Sequence, residues 1–418
     1  MKRLINSFLF FLCFYSAFSQ RCAQREISSA ELKQRHENFQ VLLDNYQKNN
    51  SKNVRQQEEI IRIPVVVHVI HNEPSRRIGG ENNTNISDEQ IFSQMKVLNE
   101  DFRKEFGTRG YNENPVGADM EIEFFLAQQD PNGQPSSGIN RVYYNKSNFD
   151  VFSDLELISS LSYWPSDKYL NIWVVNFSGS YLGYGEFPGG ALDGLELTDP
   201  PEETDGVFID YEVFGDRTGT ASSGVYSYGR TTTHEIGHWL GLLHTWGDVR
   251  CGTDYCDDTP QIQGANDTET CRQISSRCNG EFTINMIENY MDYTPDSCMN
   301  IFTNDQKARV RAALEVSQRR RRLVLNSQFL LPATNLTEFN IINNPGNSSM
   351  LSFQILLPDF QDFTLSGYNL LGQQILYKEF KDYPSTVVRA EDLNLPTGPL
   401  IIRMQTGNEI FTKRIVLF

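Results

Sequence analysis

Basic residues are in short supply. Against 53 Asp and Glu stand 37 Lys and Arg, a net charge of −16 over 418 residues. That balance excludes a nucleic-acid binder, which presents a basic face, and it disfavours docking on anionic membranes. Long apolar runs are missing too. The stretch from Phe8 to Phe18 is too short for a bilayer, which takes about 20 apolar residues, so no transmembrane anchor is expected. The cysteines show no C-x2-C spacing, which argues against a zinc site built from thiolates. Internal repeats and heptads are absent, which excludes solenoids and coiled coils. Histidine is scarce, with six in the chain.

What is present begins with "MKRLINSFLFFLCFYSAFSQ": a basic start, an apolar run and a small-residue end. This pattern predicts a secretory signal over residues 1–19, removed near Ser19–Gln20. Gln20 and Arg21 stand where a lipoprotein anchor at Cys22 needs small residues. In an exported protein, the cluster Cys251, Cys256, Cys271, Cys278 and Cys298 reads as disulfides, while Cys22 stands alone. Residues 20–58 are polar and helix-forming, with Leu32, Phe39, Leu42, Leu43 and Tyr46 at helical spacing. They read as a propeptide, a small appendage whose His36 is solvated.

A globular domain is expected over residues 59–328. "IIRIPVVVHVIH" is a buried strand. "SDEQIFSQMKVLNEDFRKEF" is a helix N-capped by Ser87, with Ile91, Met95, Leu98 and Phe102 on its apolar face. "MEIEFFLAQ", "INRVYY", "YLNIWVVNF" and "GVFIDYEVF" supply further strands, which places the class at α/β or α+β. Residues 245–300 are irregular. One terminal helix, "FTNDQKARVRAALEVSQRRRR", starts at a Thr303 or Asn304 cap. After a linker, residues 333–418 alternate short strands with turn signals, the pattern of a small all-β sandwich.

Three of the six histidines lie within "HEIGHWLGLLH", residues 234–244. On a helix starting near Thr231, with Thr231–Thr233 offering capping hydroxyls, His234 and His238 share a face. Glu235 sits beside them, better placed as a base than as a ligand. Gly241 ends the helix in a left-handed turn, and His244 returns as a third ligand. Three imidazoles on tetrahedral zinc leave one position for water, whose proton Glu235 would take and pass to a leaving amine. That is peptide-bond hydrolysis. His68 and His71, three apart on a strand, face opposite sides and are not counted as ligands.

The motif resembles the zinc signature of metzincin metallopeptidases. "NYMDY" and "CMNIFT", with "IPVVVHVIHN", "VLNEDFR" and "YLNIWVV", resemble the pappalysin subfamily over about residues 60–325. The resemblance implies an α+β, zincin-like catalytic domain with a twisted mixed sheet, an active-site helix and a cleft. It implies zinc on His234, His238 and His244, Glu235 as base, Met291 as the floor of the site, and Tyr293 near the zinc or the oxyanion. It also implies disulfides Cys251–Cys278 and Cys271–Cys298, and calcium on Asp254, Asp257 and Thr259, though a charged solvated loop accounts for the same residues. Cys22 acquires a role as a thiolate that holds zinc in a latent zymogen. A free thiol or a disulfide to Cys256 are the alternatives. Activation then requires a cut between about Asn49 and Arg62, with Arg55 as one candidate. Pappalysins suggest a preference for basic residues after the scissile bond, with Asp292 or Asp296 lining the pocket. An inactive scaffold acting as an adhesin is the rival reading, and the intact set of Glu235 and three histidines opposes it.

Residues 333–418 resemble the type A C-terminal sorting domain of the type IX secretion system, through "NNPGN", "YNLLGQQIL", "DLNLPTG" and "TKRIVLF", although Pro399-Leu400 replaces the usual aromatic after "PTG". That resemblance implies the secretion machinery as a partner and a route through the periplasm to the cell surface or medium.

Overall fold

The apolar run Ile61–His71 forms one long strand, buried from Ile63 onward. A strand covered on both faces needs no polar alternation. The computed structural model describes residues 20–23, 29–50, 60–192, 195–330, 337–358 and 360–418. The signal segment 1–19 and Arg55 lie outside the described residues. In chain order the elements are β1 (Gln20–Cys22), α1 (Ser29–Asn50), β2 (Ile61–His71), α2 (Asp88–Phe102), β3 (Ile122–Leu126), β4 (Ile139–Tyr143), α3 (Leu155–Leu161), β5 (Leu170–Val175), β6 (Tyr181–Gly185), β7 (Gly190–Leu192), β8 (Leu195–Leu197), β9 (Gly206–Asp210), α4 (Arg230–Trp239), β10 (Ser275–Cys278), β11 (Glu281–Ile284), α5 (Asn304–Val316) and α6 (Gln318–Leu330).

The main sheet runs β1-β6-β9-β5-β2-β3, with β4 pairing the second half of β2. Its ladders are parallel except β6 against β9. One face is covered by α2 and α4, through Ile91, Met95, Leu98, Phe102, Ile236 and Trp239. A second cluster around Trp173, Phe208 and Ile158 fills the other face. Ser87 caps α2, its side chain accepting from the Gln90 amide. Among the described residues, no helix is long and apolar enough to cross a membrane.

The N-terminal segment is more than an appendage. β1 extends the main sheet as a parallel neighbour of β6, and α1 lays Phe39, Leu42 and Leu43 onto Ala312 and Ala313 of α5. His36 is correspondingly buried against Phe187, not solvated. The terminal helix also differs from expectation. Thr303 and Gln306 form a capping box at its start, but Ser317 is extended and splits it into α5 and α6. From the first turn of α6, Arg319 and Arg320 both reach the buried Asp205 carboxylate, at 2.7 and 2.6 Å, and the Arg320 guanidinium lies 3.9 Å over the Trp239 ring.

The C-terminal region contains β12 (Glu338–Ile342), β13 (Ser352–Leu356), β14 (Gln361–Tyr368), β15 (Gln374–Tyr383), β16 (Thr386–Arg389), β17 (Gly398–Thr406) and β18 (Glu409–Leu417). They form a three-stranded sheet, β12-β13-β16, and a four-stranded one, β15-β14-β17-β18. Both close over a core that includes Phe353, Ile355, Leu365, Ile402 and Met404. The stretch "FTLSGYNLLGQQILYKEF" is a hairpin of β14 and β15.

Candidate active site

α4 is a helix because nothing in "RTTTHEIGHW" breaks it before Gly241, and all ten residues are buried. Its cap is not a threonine hydroxyl. Gly229 occupies the N-cap with φ 77° and gives no side-chain bond. Instead the Asp296 carboxylate, from the far side of the site, accepts the Tyr228 and Arg230 amides at 3.0 Å each. An anion there also suits the positive end of the helix. At the other end Gly241 takes φ 91°, a conformation that costs other residues strain, and the chain doubles back to His244.

The three imidazoles converge. Nε2 of His234, His238 and His244 lie 3.1–3.2 Å from one another. Each Nδ1 is engaged elsewhere: His234 donates to the Tyr290 carbonyl at 2.7 Å, His238 to the Leu242 carbonyl at 2.9 Å, and His244 faces the Asp248 carboxylate. With the protons on Nδ1, the Nε2 lone pairs point at one another. Such nitrogens cannot hydrogen-bond among themselves and repel unless a cation sits between them. Burial and the neighbouring His244 push His238 down to about 3, so its ring is neutral and able to ligate. A tetrahedral zinc bonded at about 2.0–2.1 Å spaces ligand nitrogens about 3.3 Å apart, so the donor set fits zinc. The thiol of Cys22 completes the group: its sulfur and the three histidine nitrogens lie within 4.8 Å of one another.

Glu235, one residue on from His234, is fully buried, and the Cys22 thiol donates to its Oε2 at 3.4 Å. Met291 is buried beneath α4. A Cβ on Gly237 would collide with its sulfur, so that glycine is what lets the Met floor rise against the helix. The Tyr293 hydroxyl donates to the Cys22 carbonyl at 3.5 Å, and its ring lies 5.0 Å from that of His244. Disulfides join Cys251 to Cys278 and Cys271 to Cys298. Cys256 is a free, buried thiol, so it forms no disulfide with Cys22. Burial raises its pKa.

Other expected residues are not assembled. Thr259 Oγ1 donates to both Asp254 oxygens at 2.9 and 2.8 Å, but Asp257 faces solvent and its amide donates to Asp305. Among the described residues, the histidine–cysteine group is the one cluster with metal-ligand spacing. Asp292 is buried and holds Asn266 and the Tyr293 amide, while Asp296 caps α4. Both carboxylates are thus committed to structural contacts.

Three contributors escaped the sequence reading. Asp248 orients His244, and Trp246 stacks on that ring at 4.3 Å, 5° from parallel. The third is Asp101 of α2, wholly buried. Its Oδ1 accepts from Arg230 at 3.0 Å and from the Tyr290 hydroxyl at 2.8 Å, and its Oδ2 accepts from Thr233 at 2.8 Å. It thereby fixes both the residue before His234 and the residue whose carbonyl orients it. Burial pushes the Asp101 carboxyl upward against the pull of Arg230. The pair as a whole therefore stabilises little, yet losing one partner is expensive. Asp101→Asn is expected to cost about 3–4 kcal/mol, because Arg230 keeps its charge in the interior; chemical denaturation of the metal-loaded protein measures it.

A buried three-histidine helix-and-turn with a neighbouring glutamate, above a methionine floor and beside a mixed sheet, defines a metzincin-type metallopeptidase site. The comparisons narrow the class. Residues 211–315 match the family Peptidase_M43, described as pregnancy-associated plasma protein-A. Mature mirolysin of Tannerella forsythia, solved with a cleaved peptide, is 37% identical, with TM-score 0.56 over 66% of this chain and 99% of its own. A promirolysin mutant of the same organism is 35% identical, with TM-score 0.60 over 75% of this chain and 100% of its own. An extracellular metalloprotease of Verticillium alfalfae is 37% identical over 145 residues, 34% of this chain and 49% of that protein. The chain therefore spans about half the length of that relative. The chain belongs to the pappalysin family of metallopeptidases.

Proposed function

We propose that the chain is a secreted zinc endopeptidase made in latent form. The observation that carries this reading is the convergence of three oriented imidazole nitrogens beside Glu235. His234, His238 and His244 would hold zinc, which would supply a Lewis acid to polarise a peptide carbonyl and acidify water. Glu235 accepts the proton of the attacking water and returns it to the leaving amine. Tyr293 donates its hydroxyl to the developing oxyanion. In the latent chain the Cys22 thiol, grouped with the three histidine nitrogens, would serve as a further ligand to the zinc, and β1 covers the edge of β6 that a substrate backbone would pair with.

Hydrolysis of casein by the processed protein is expected to vanish with a zinc chelator and return with zinc; activity that persists through chelation sinks the reading. Tyr293→Phe is expected to lower kcat about 10²-fold with KM little changed, since one oxyanion donor is lost; steady-state kinetics on a short peptide read it. A preference for basic residues after the cut rests on the family resemblance alone, because Asp292 and Asp296 are engaged elsewhere. Cleavage profiling of a peptide library decides it. Asp254 and Thr259 offer oxygen chemistry suited to calcium, and a calcium-dependent rise in Tm is the test. For residues 333–418 we infer a sorting role with the type IX secretion machinery, leading through the periplasm to the surface or medium. Deleting them is expected to strand the protein in the periplasm.

A further inference from the structure

The contact between α1 and the catalytic body is built as a binding site in its own right. Its floor is made of small residues. A Cβ on Gly190 would lie 2.9 Å from Leu42, and one on Gly241 would lie 3.0 Å from the Phe39 ring; Ala312 and Ala313 complete the surface. Phe39, Leu42 and Leu43 fill it and are buried to 0, 3 and 1% exposure. Phe39 meets Phe187 edge-on at 5.0 Å. Polar contacts fix the register: Arg35 donates to the Phe187 carbonyl at 3.2 Å, and Arg309 donates to Gln40. The outward side of α1 is polar, with Lys33 and Glu37 paired in solvent. None of these contacts involves Cys22 or the three histidines.

We propose that this groove is an independent helix-binding surface that keeps residues 29–50 docked after the chain is cut within 51–59. This rests on the latent-enzyme reading above and concerns what ends latency. Cys22 lies a short stretch of chain, residues 23–28, before Ser29, the first residue of α1. A docked α1 therefore holds the thiol beside the histidines at an effective concentration on the order of millimolar. Cutting the connection to β2 is then insufficient. Full activity appears only when α1 itself is degraded or displaced.

The test places a specific-protease site within 51–59 of the full chain and cuts it. Size-exclusion chromatography with intact-mass analysis is expected to find the excised segment co-eluting with the catalytic body, with peptidase activity below about a tenth of that reached once the segment is degraded. The same cut in Cys22→Ser is expected to leave the segment bound while activity rises, which separates the two holds. Phe39→Ala with Leu43→Ala is expected to release the segment at the cut. Immediate loss of the wild-type segment with full activity overturns the proposal, as does its loss from cut Cys22→Ser. An uncut wild-type chain that is already fully active overturns the latent-enzyme reading instead.

Discussion

Replacing Glu235 by alanine is expected to lower kcat by about 10²–10⁴-fold in the processed enzyme, the range a positioned general base contributes. Zinc content is expected to stay at one ion per chain. The two outcomes separate because the ligand nitrogens are oriented without Glu235: their Nδ1 partners are Tyr290, Leu242 and Asp248. Glu235→Gln keeps the shape and loses the basicity, so it is expected to match alanine in kcat. Elemental analysis beside steady-state kinetics decides the matter. If zinc departs with the carboxylate, Glu235 is a ligand and another group must take the proton. A gain of activity in the glutamine variant over alanine of more than about tenfold would point to positioning, not proton transfer, as its contribution.

The part of this site written in the sequence is the part held on one short segment. Helical geometry joins His234 to His238, and a single glycine returns His244, so local spacing is enough to place all three. The supports come from afar and leave no local pattern. Asp101 is 129 positions from Arg230 and 189 from Tyr290, and on α2 it reads only as one polar residue beside an apolar face. Asp296 caps α4 from 66 positions away, which is why the local threonines looked like the caps. Asp248 was within reach, four residues after His244, but a single acid in an irregular loop has no period to reveal it.

The same reasoning explains the N-terminal segment. The spacing of Phe39, Leu42 and Leu43 announced an amphipathic helix, but an amphipathic helix does not name the surface it covers. Only the fold shows that the surface is the glycine- and alanine-lined turn behind the site, and that His36 goes under with it. The split at Ser317 is also a tertiary decision. Helix propensity favours continuity through "EVSQRRRR", and the carboxylate that Arg319 and Arg320 meet, Asp205, lies 114 and 115 positions away.

Cys22→Ser is expected to raise the activity of the uncut chain on a short peptide by about 10²-fold or more, corresponding to a loss of roughly 3 kcal/mol of bias toward the closed state. A serine hydroxyl would be a far poorer zinc ligand than a thiolate, so on the latency proposed for Cys22 the substitution removes the thiol's hold while the rest of the segment stays. The gain is expected to stop short of the processed enzyme. β1 still pairs with β6, the Ala23 amide donating to the Gly183 carbonyl at 2.9 Å, and α1 still fills its groove. Long protein substrates, proposed to pair with the edge of β6, are therefore expected to gain less than a short peptide does. Comparing the two substrates before and after the cut separates the thiol's share of latency from that of the occupied cleft. Equal activity in Cys22→Ser and wild type before the cut would assign latency to β1 and α1 alone and leave the thiol as a bystander.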